Sequence, residues 1–573
     1  MNERASVLRP AALAVALAAG LLAACGTPPL PGAVSLNLGE KPPQACATLT
    51  APLPATVIGL PSGDASIDSA TWMPVTPLAV AERGATPAGR ITPNTPAYCR
   101  VLGRIAPLDP KAPPILFQIN LPAQWNGRSV QYGGGAFNGV LISGLALLPG
   151  ARYEQPTPLA QGYVTYGTDS GHQNQAGQPP QAFALNDEAL ENFAHASYKK
   201  VRDVAVAMTH RAYGSKPARL YFVGSSEGGR EGLVMAQRYP YDFDGIFSRV
   251  PVINWTGLQH AGTRNGIASM GEGWLRPAQV KLVHDAVLKT CDAADGLADG
   301  VVSNFEGCLR SFDPASLRCT AGTGTGGDAC LADKQVQAVR TLRSDWRSPV
   351  PLAHGVTGYP GWSIGGEGTP ASGPTGGWSA WWLGSAEPAV PPVPANGIAW
   401  FYGSGALQYF YARDPQGDVR QYRPENFAAR IAQVSQLMDG TNPELSTFQA
   451  RGGKLIVLEH MADYAQSPFA GIRYYESVVQ GIGLDRARAF MRLYTAPGVD
   501  HVGSGAPANV DMFGALVAWT ERGLPPEGLE LAEQDLNAPK FPVLRSRPLC
   551  EWPAWPRYRG GDAAQAGSFE CTR

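Results

Sequence analysis

Short apolar runs bounded by turn signals alternate with helical stretches through the first half of the chain. Residues 115–121 (ILFQINL), 129–132 (SVQY), 162–166 (GYVTY) and 218–223 (ARLYFV) have the β-branched and aromatic content of strands. Between and after them, 190–210 and 228–239 are predicted to be helices. Strands that alternate with helices predict a mainly parallel sheet covered by helices, the α/β class. The alternation stops over 252–447, where glycine-rich runs (321–327, 358–377), a proline-rich stretch (388–394) and many tryptophans are found. A compact sheet does not carry so long an irregular stretch, so this region is predicted to be an inserted lid domain. Strand patterning resumes at 454–458 and 489–494, followed by a helix over 511–521. The expected organisation is a core in two parts, 46–251 and 448–573, around a lid at 252–447. No internal repeat is present.

Composition refines this picture at the N-terminus. Arg4 and Arg9 precede an apolar run, 11–24, too short to cross a bilayer comfortably, as in an export signal. It ends in Leu22-Ala23-Ala24-Cys25-Gly26, which looks like a bacterial lipobox. Residues 1–24 are therefore expected to be removed, Cys25 to be lipidated, and the Pro- and Gly-rich segment 25–45 to act as a tether. An ordinary cleaved signal with an incidental cysteine is the alternative. Besides Cys25, eight of the nine cysteines remain, an even number that suits an oxidising compartment. They fall in sequence-local couples: Cys46 and Cys99, Cys291 and Cys308, Cys319 and Cys330, Cys550 and Cys571. Eight cysteines allow about 105 pairings, so proximity alone does not fix these. The 573 residues carry 46 basic and 47 acidic side chains, a balance that gives no reason to expect a nucleic-acid partner.

The strongest chemical signal is Gly224-Ser225-Ser226-Glu227-Gly228, a G-x-S-x-G pentapeptide between a β-rich run and a helical one. That context is the nucleophile elbow of the α/β-hydrolase fold, with Ser226 in the central position. A serine nucleophile needs a base, and the base an orienting carboxylate, each after a later strand. His501 follows the run ending at Tyr494, and Asp463 the run ending at Leu458; His460 and Asp500 are the rivals. An oxyanion needs preorganised N–H donors. The amide of Glu227 is one, and the loop Gly133-Gly134-Gly135-Ala136 after a strand is the expected source of the other.

A separate acidic run, 291–301 (CDAADGLADGV), has three aspartates at spacings of three and four. Hard oxygen donors at this density suit Ca²⁺, although a solvated acidic turn has the same composition.

Taken together, Trp125-Asn126-Gly127-Arg128, Gly133-Gly134-Gly135, Asp169-Ser170-Gly171-His172, the stretch 221–240, the acidic run, Trp381-Trp382-Leu383-Gly384 and Gly452-Gly453-Lys454 resemble the tannase and feruloyl esterase family over nearly the whole mature chain. The resemblance implies an α/β-hydrolase core with a large inserted lid domain and a triad of Ser226, Asp463 and His501. It implies oxyanion donors at the amides of Glu227 and Ala136, and disulfides at the four local couples. It also implies a structural Ca²⁺ in the lid, on the side chains of Asp292, Asp295 and Asp299 and the carbonyls of Leu297 and Val301. No organic cofactor is implied. Two departures stand out. Ser225 and Val502 occupy positions where relatives carry a disulfide-bonded pair, so packing must join the elbow to the His501 loop, and that loop gains mobility. The lid segment 395–405 also lacks the arginine with which a terephthalate monoester hydrolase binds its free carboxylate.

The expected function is hydrolysis of small aromatic carboxylic esters, of the hydroxycinnamate or gallate kind, through an acyl-enzyme. Trp381, Trp400 and Phe401 either face the acyl ring or form the lid's own core. The alternatives are a mono(2-hydroxyethyl) terephthalate hydrolase-like monoester hydrolase and, from another class, a non-catalytic surface binding lipoprotein. The expected location is outside the cytoplasm, with the lipid anchor as the sole membrane contact and the outer membrane or periplasmic face as its site.

Overall fold

The computed structural model describes residues 34–35, 42–76, 95–320, 327–368 and 377–573. The expected export signal and the lipidation site at Cys25 lie outside the described residues, as does most of the tether.

The centre of the molecule is a ten-stranded sheet. In chain order its strands are β1 (Ala65–Met73), β2 (Tyr98–Ile105), β3 (Ile115–Pro122), β4 (Arg128–Tyr132), β5 (Val164–Thr168), β6 (Arg219–Ser225), β7 (Gly245–Arg249), β8 (Lys454–His460), β9 (Met491–Ala496) and β10 (Cys550–Glu551). Their spatial order is β10-β9-β8-β7-β6-β4-β5-β3-β2-β1. The six from β5 to β9 run parallel, while β1, β2, β3 and β10 pair antiparallel at the two edges. Every residue of β4, β5, β7 and β9 is buried, as expected of parallel strands covered on both faces.

The predicted elements are present with shifts of one to three residues at most ends. Helix α1 (Ser197–Tyr213) forms the C-terminal part of the 190–210 prediction and stops at Gly214, whose φ of 77° is the left-handed cap that glycine adopts without penalty. Helix α2 (Glu227–Arg238) follows β6 through a one-residue turn.

The insert leaves after β7 and returns before β8. It carries α3 (Trp255–Ala268), α4 (Pro277–Cys291), α5 (Asp333–Arg343), α6 (Ile398–Ala406) and α7 (Ala428–Met438), with a two-stranded ribbon at Trp346–Arg347 and Gly358–Tyr359. Its two ends meet where the Gly440 amide donates to the carbonyl of Ile253 at 2.8 Å. The insert does not enclose a core of its own. A continuous apolar cluster joins Phe222, Leu233 and Ile246 of the base to Val283, Val339 and Trp362 of the insert. The chain then closes the base with α8 (Phe469–Ile482) and α9 (Met512–Arg522).

Two kinds of cross-link hold the far ends together. Arg128 on β4 and Glu521 on α9 form a largely buried ion pair, and the Tyr221 hydroxyl of β6 donates to the same carboxylate at 2.7 Å. The four cysteine couples are disulfide-bonded. Cys46–Cys99 closes 53 residues, for which loop-closure entropy gives about 4 kcal/mol. The double variant Cys46→Ala/Cys99→Ala should therefore lose stability of about that size, seen as a lower denaturation midpoint in urea.

Candidate active site

Gly-x-Ser-x-Gly is a steric requirement here. Ser226 has φ 62° and ψ −120°, which places its side chain above the C-terminal edge of the sheet and lets α2 start at the next residue. A Cβ on Gly224 would stand 2.2 Å from the carbonyl oxygen of Gly228, and one on Gly228 would stand 2.7 Å from that of Gly134. Both positions therefore have room only for hydrogen. The Ser226 amide donates to the Arg249 carbonyl at 2.9 Å, and its carbonyl accepts from the amides of Gly229, Arg230 and Val252. The strained residue is thus fixed from both sides.

The base arrives from beyond the insert. His501 Nε2 lies 3.0 Å from Ser226 Oγ, and His501 Nδ1 donates to Asp463 Oδ2 at 2.7 Å. Asp463 is buried, and its other oxygen accepts the amides of Ala465 (2.7 Å) and Gln466 (3.0 Å), which fixes the carboxylate plane. Serine, imidazole and carboxylate therefore form one hydrogen-bonded chain, the arrangement that moves a proton off a hydroxyl.

The rivals serve the loop instead. Asp500 Oδ1 accepts the amides of Val502, Gly503 and Ser504 at 3.1, 3.0 and 2.7 Å, so it shapes the turn that carries His501. His460 Nδ1 donates to the Asp500 carbonyl at 2.6 Å, and burial holds this imidazole far below its ordinary pKa, in the neutral form.

The expected oxyanion loop packs directly on the elbow, because Gly133 and Gly134 lie against Gly228. Its shape comes from a residue that sequence reasoning missed. Glu231, one turn into α2, accepts the Gly134 amide at 3.0 Å and the Asn138 side-chain amide at 2.8 Å. Asn138 Oδ1 in turn accepts the Gly135 amide at 2.6 Å. Ala136 follows with φ 54° and is exposed. Glu227 is the first residue of α2, so its amide belongs to the unpaired first turn and the positive end of the helix.

Of the aromatic residues proposed to meet substrate, Trp381 lies over the site. Its ring is centred 6.2 Å from His501, 5.8 Å from Tyr464 and 5.9 Å from Tyr402. Phe401 is half-buried beside Tyr402. Trp400 must be corrected. It is fully buried on Gly266 of α3, with Nε1 donating to the Ala389 carbonyl at 2.8 Å, and so belongs to the apolar cluster that the insert shares with Phe137 and Phe193 of the base. Tyr402 and Tyr464 are the aromatic neighbours that the sequence did not single out.

The acidic run agrees with calcium in donor type and differs from it in placement. Asp292 accepts the Gly300 amide at 3.0 Å, Asp295 the Leu297 amide at 3.1 Å and Asp299 the Val301 amide at 3.2 Å. Asp299 also pairs with Arg547. Among the described residues, no three His, Cys, Asp or Glu side chains are gathered as a metal would need. Burial, assisted by the charge of Asp299, pushes the Asp295 carboxyl above its usual range. Val301 reaches Gly498 of the His501 loop, so this run packs on the active site's own support.

Comparison with known proteins gives the family and the fold. The family model described as tannase and feruloyl esterase matches residues 99–572. An uncharacterised esterase of Agrobacterium fabrum is 37% identical over 538 residues, covering 91% of each chain. The mono(2-hydroxyethyl) terephthalate hydrolase of Piscinibacter sakaiensis is 32% identical, covering 85% of this chain and 87% of its own. A probable feruloyl esterase of Arthroderma benhamiae is 31% identical, covering 79% and 82%. The crystal structure of feruloyl esterase B from Aspergillus oryzae superposes with a TM-score of 0.73 at 23% identity, over 92% of this chain and all of the other, and shows the same fold.

Gly228→Ala tests the contact between elbow and loop. It should lower kcat by about tenfold or more with far-ultraviolet circular dichroism unchanged, since small displacements of reacting groups are costly.

Proposed function

This chain belongs to the tannase and feruloyl esterase family and is a carboxylic ester hydrolase; from that premise we propose that it cleaves small aromatic esters, of the hydroxycinnamate or gallate kind, with Ser226 as nucleophile. The observation that carries the reading is the hydrogen-bonded chain from Asp463 through His501 to Ser226.

In this mechanism Ser226 Oγ attacks the ester carbonyl carbon while His501 Nε2 takes the hydroxyl proton. The carbonyl π electrons move onto oxygen, and the amides of Glu227 and Ala136 receive the oxyanion, each such donor being worth about 3 kcal/mol. Asp463 holds the imidazole in the required tautomer and stabilises the imidazolium. The carbonyl re-forms, the alkoxide leaves with the proton from His501, and an acyl-serine remains. Water then attacks with His501 again as base, releasing the free acid and restoring Ser226.

The rings of Trp381 and Tyr464 beside His501, with Tyr402 against Trp381, support an aromatic acyl group, which such surfaces bind by offset or edge contacts. A non-catalytic binding role has no use for this proton-transfer chain. The four disulfides support an oxidising compartment, hence export, with the lipid anchor at Cys25 as part of the same reading.

Calcium is proposed as a structural ion held by Asp292, Asp295, Asp299 and the carbonyls of Leu297 and Val301. What supports it is the density of hard oxygen donors in the run. It takes no part in the reaction. Ca²⁺ added to EDTA-treated protein will raise Tm, and Asp295→Asn will remove that rise; a Tm indifferent to Ca²⁺ excludes the site.

Release of free acid from methyl ferulate, methyl gallate and mono(2-hydroxyethyl) terephthalate tests the main proposal. At least one aromatic ester should turn over, and Ser226→Ala should reduce that rate by about a thousandfold or more. Failure on all three, or activity that survives the substitution, would overturn it.

A further inference from the structure

Arg249 is the last residue of β7, and its side chain is 5% exposed beneath the active site. In the sheet it lies between Ser225 on β6 and Leu458 on β8. Its carbonyl already holds the Ser226 amide. Its guanidinium does something separate. Nη1 donates to Ser225 Oγ at 2.9 Å, in the residue just before the nucleophile. Nη2 lies against Gly503, where a Cβ would stand 2.9 Å away, in the turn just after His501. The other side of the group faces Gly150. One planar cation thus touches both segments whose relative position sets the Ser226–His501 distance.

Taking an ion out of water costs several kcal/mol unless opposite charge compensates it. The charged groups facing Arg249 are the carboxylates of Asp463 and Asp500 and, more weakly, the Tyr153 hydroxyl, with neutral His460 nearby. Burial lowers the Arg249 pKa to about 10, so it remains charged at neutral pH. Among the described residues Asp500 Oδ2 is buried without a hydrogen-bond partner, and burial together with the charge of Asp463 holds this carboxyl above its usual range, against the amides of Ser504 and Val502 and the nearby His501. Asp500 is also the residue that folds the His501 turn.

We propose that Arg249 is a positioning residue, a buried ionic brace that fixes the nucleophile elbow to the loop carrying His501. The proposal rests on the reading of Ser226 and His501 as nucleophile and base. It replaces the expectation that packing alone joins these segments. Arginine suits the place because its planar fork reaches in two directions at once and stays charged when buried. A lysine keeps the charge and reaches one partner.

The test compares wild type with Arg249→Met, Arg249→Lys and Ser225→Ala, each checked for folding by circular dichroism and Tm. Three readouts are used: kcat and KM on an ester that wild type cleaves, the rate of fluorophosphonate labelling of Ser226, and amide hydrogen exchange over residues 499–505. In Arg249→Met, kcat and the labelling rate should fall about tenfold or more while KM stays within roughly twofold, because alignment and not binding is lost. Exchange at Val502 to Ser504 should quicken. Arg249→Lys should recover part of both rates, and Ser225→Ala should fall between wild type and Arg249→Met. If Arg249→Met does not fold, the Lys and Ser225→Ala variants decide by the same measures. A folded Arg249→Met with wild-type kcat, labelling and exchange would overturn the brace. Wild type that labels but cleaves no ester counts against the ester reading alone, and labelling then judges Arg249. Wild type that does not label at Ser226 overturns both.

Discussion

The backbone of Ser226 stands in a left-handed conformation that an L-residue adopts only when its surroundings impose it. Much of the base follows from holding it there. The strand before it must end beside β7, whose last carbonyl takes the Ser226 amide. The helix after it must start at once, which brings Gly228 against Gly133 and Gly134 and leaves no space for side chains there. That contact then fixes where the glycine loop runs, and with it the direction of the amides expected to receive an oxyanion. Position of the nucleophile and shape of the oxyanion loop are one packing problem, solved with hydrogen atoms in place of side chains.

Around that elbow the protein spends buried charge rather than apolar bulk. Glu231 holds the glycine loop from below, Asp500 folds the histidine turn, Asp463 aligns the imidazole, and Arg249 lies among them. Apolar packing is non-directional, whereas a carboxylate accepting two or three amides sets the geometry of a loop. Loops carry most of this site, so they need that directional support.

The parts legible in the sequence are those whose physics is local. G-x-S-x-G is readable because its steric demands act within five residues. Strands β3, β4, β6, β8 and β9, buried over most of their length, are readable as apolar runs. The first two strands are not, since they lie towards the sheet edge: Ala65 is the single buried residue of β1, whose Ser66 and Asp68 are exposed, and β2 alternates buried positions with Arg100, Leu102 and Arg104. The family resemblance pointed to Asp463 and His501, but nothing near either residue names Arg249 or Glu231, whose roles exist only once distant segments meet. The exchange of Trp400 for Tyr402 has an equally plain cause. Successive residues on a helix turn by about 100°, so an aromatic run announces a ring near the site without telling which member faces it.

The chain departs from the sheet at Arg249 and re-enters at Lys454, yet β7 and β8 are neighbours, paired from Gly245 with Lys454 to Arg249 with Leu458. Those strands are parallel, so the chain must cross back along the sheet to reach Lys454, and it does so after the insert's two ends have met at Ile253 and Gly440. Lengthening or replacing what lies between costs little closure entropy, because that cost grows only logarithmically. The insert is therefore free to vary in length, provided that the apolar cluster it shares with the base is kept. Beyond that cluster, Trp381 above His501 and Val301 against Gly498 are points at which any replacement must still match the base. An incoming insert that matches them all leaves the proton-transfer chain undisturbed and changes only the surroundings of His501.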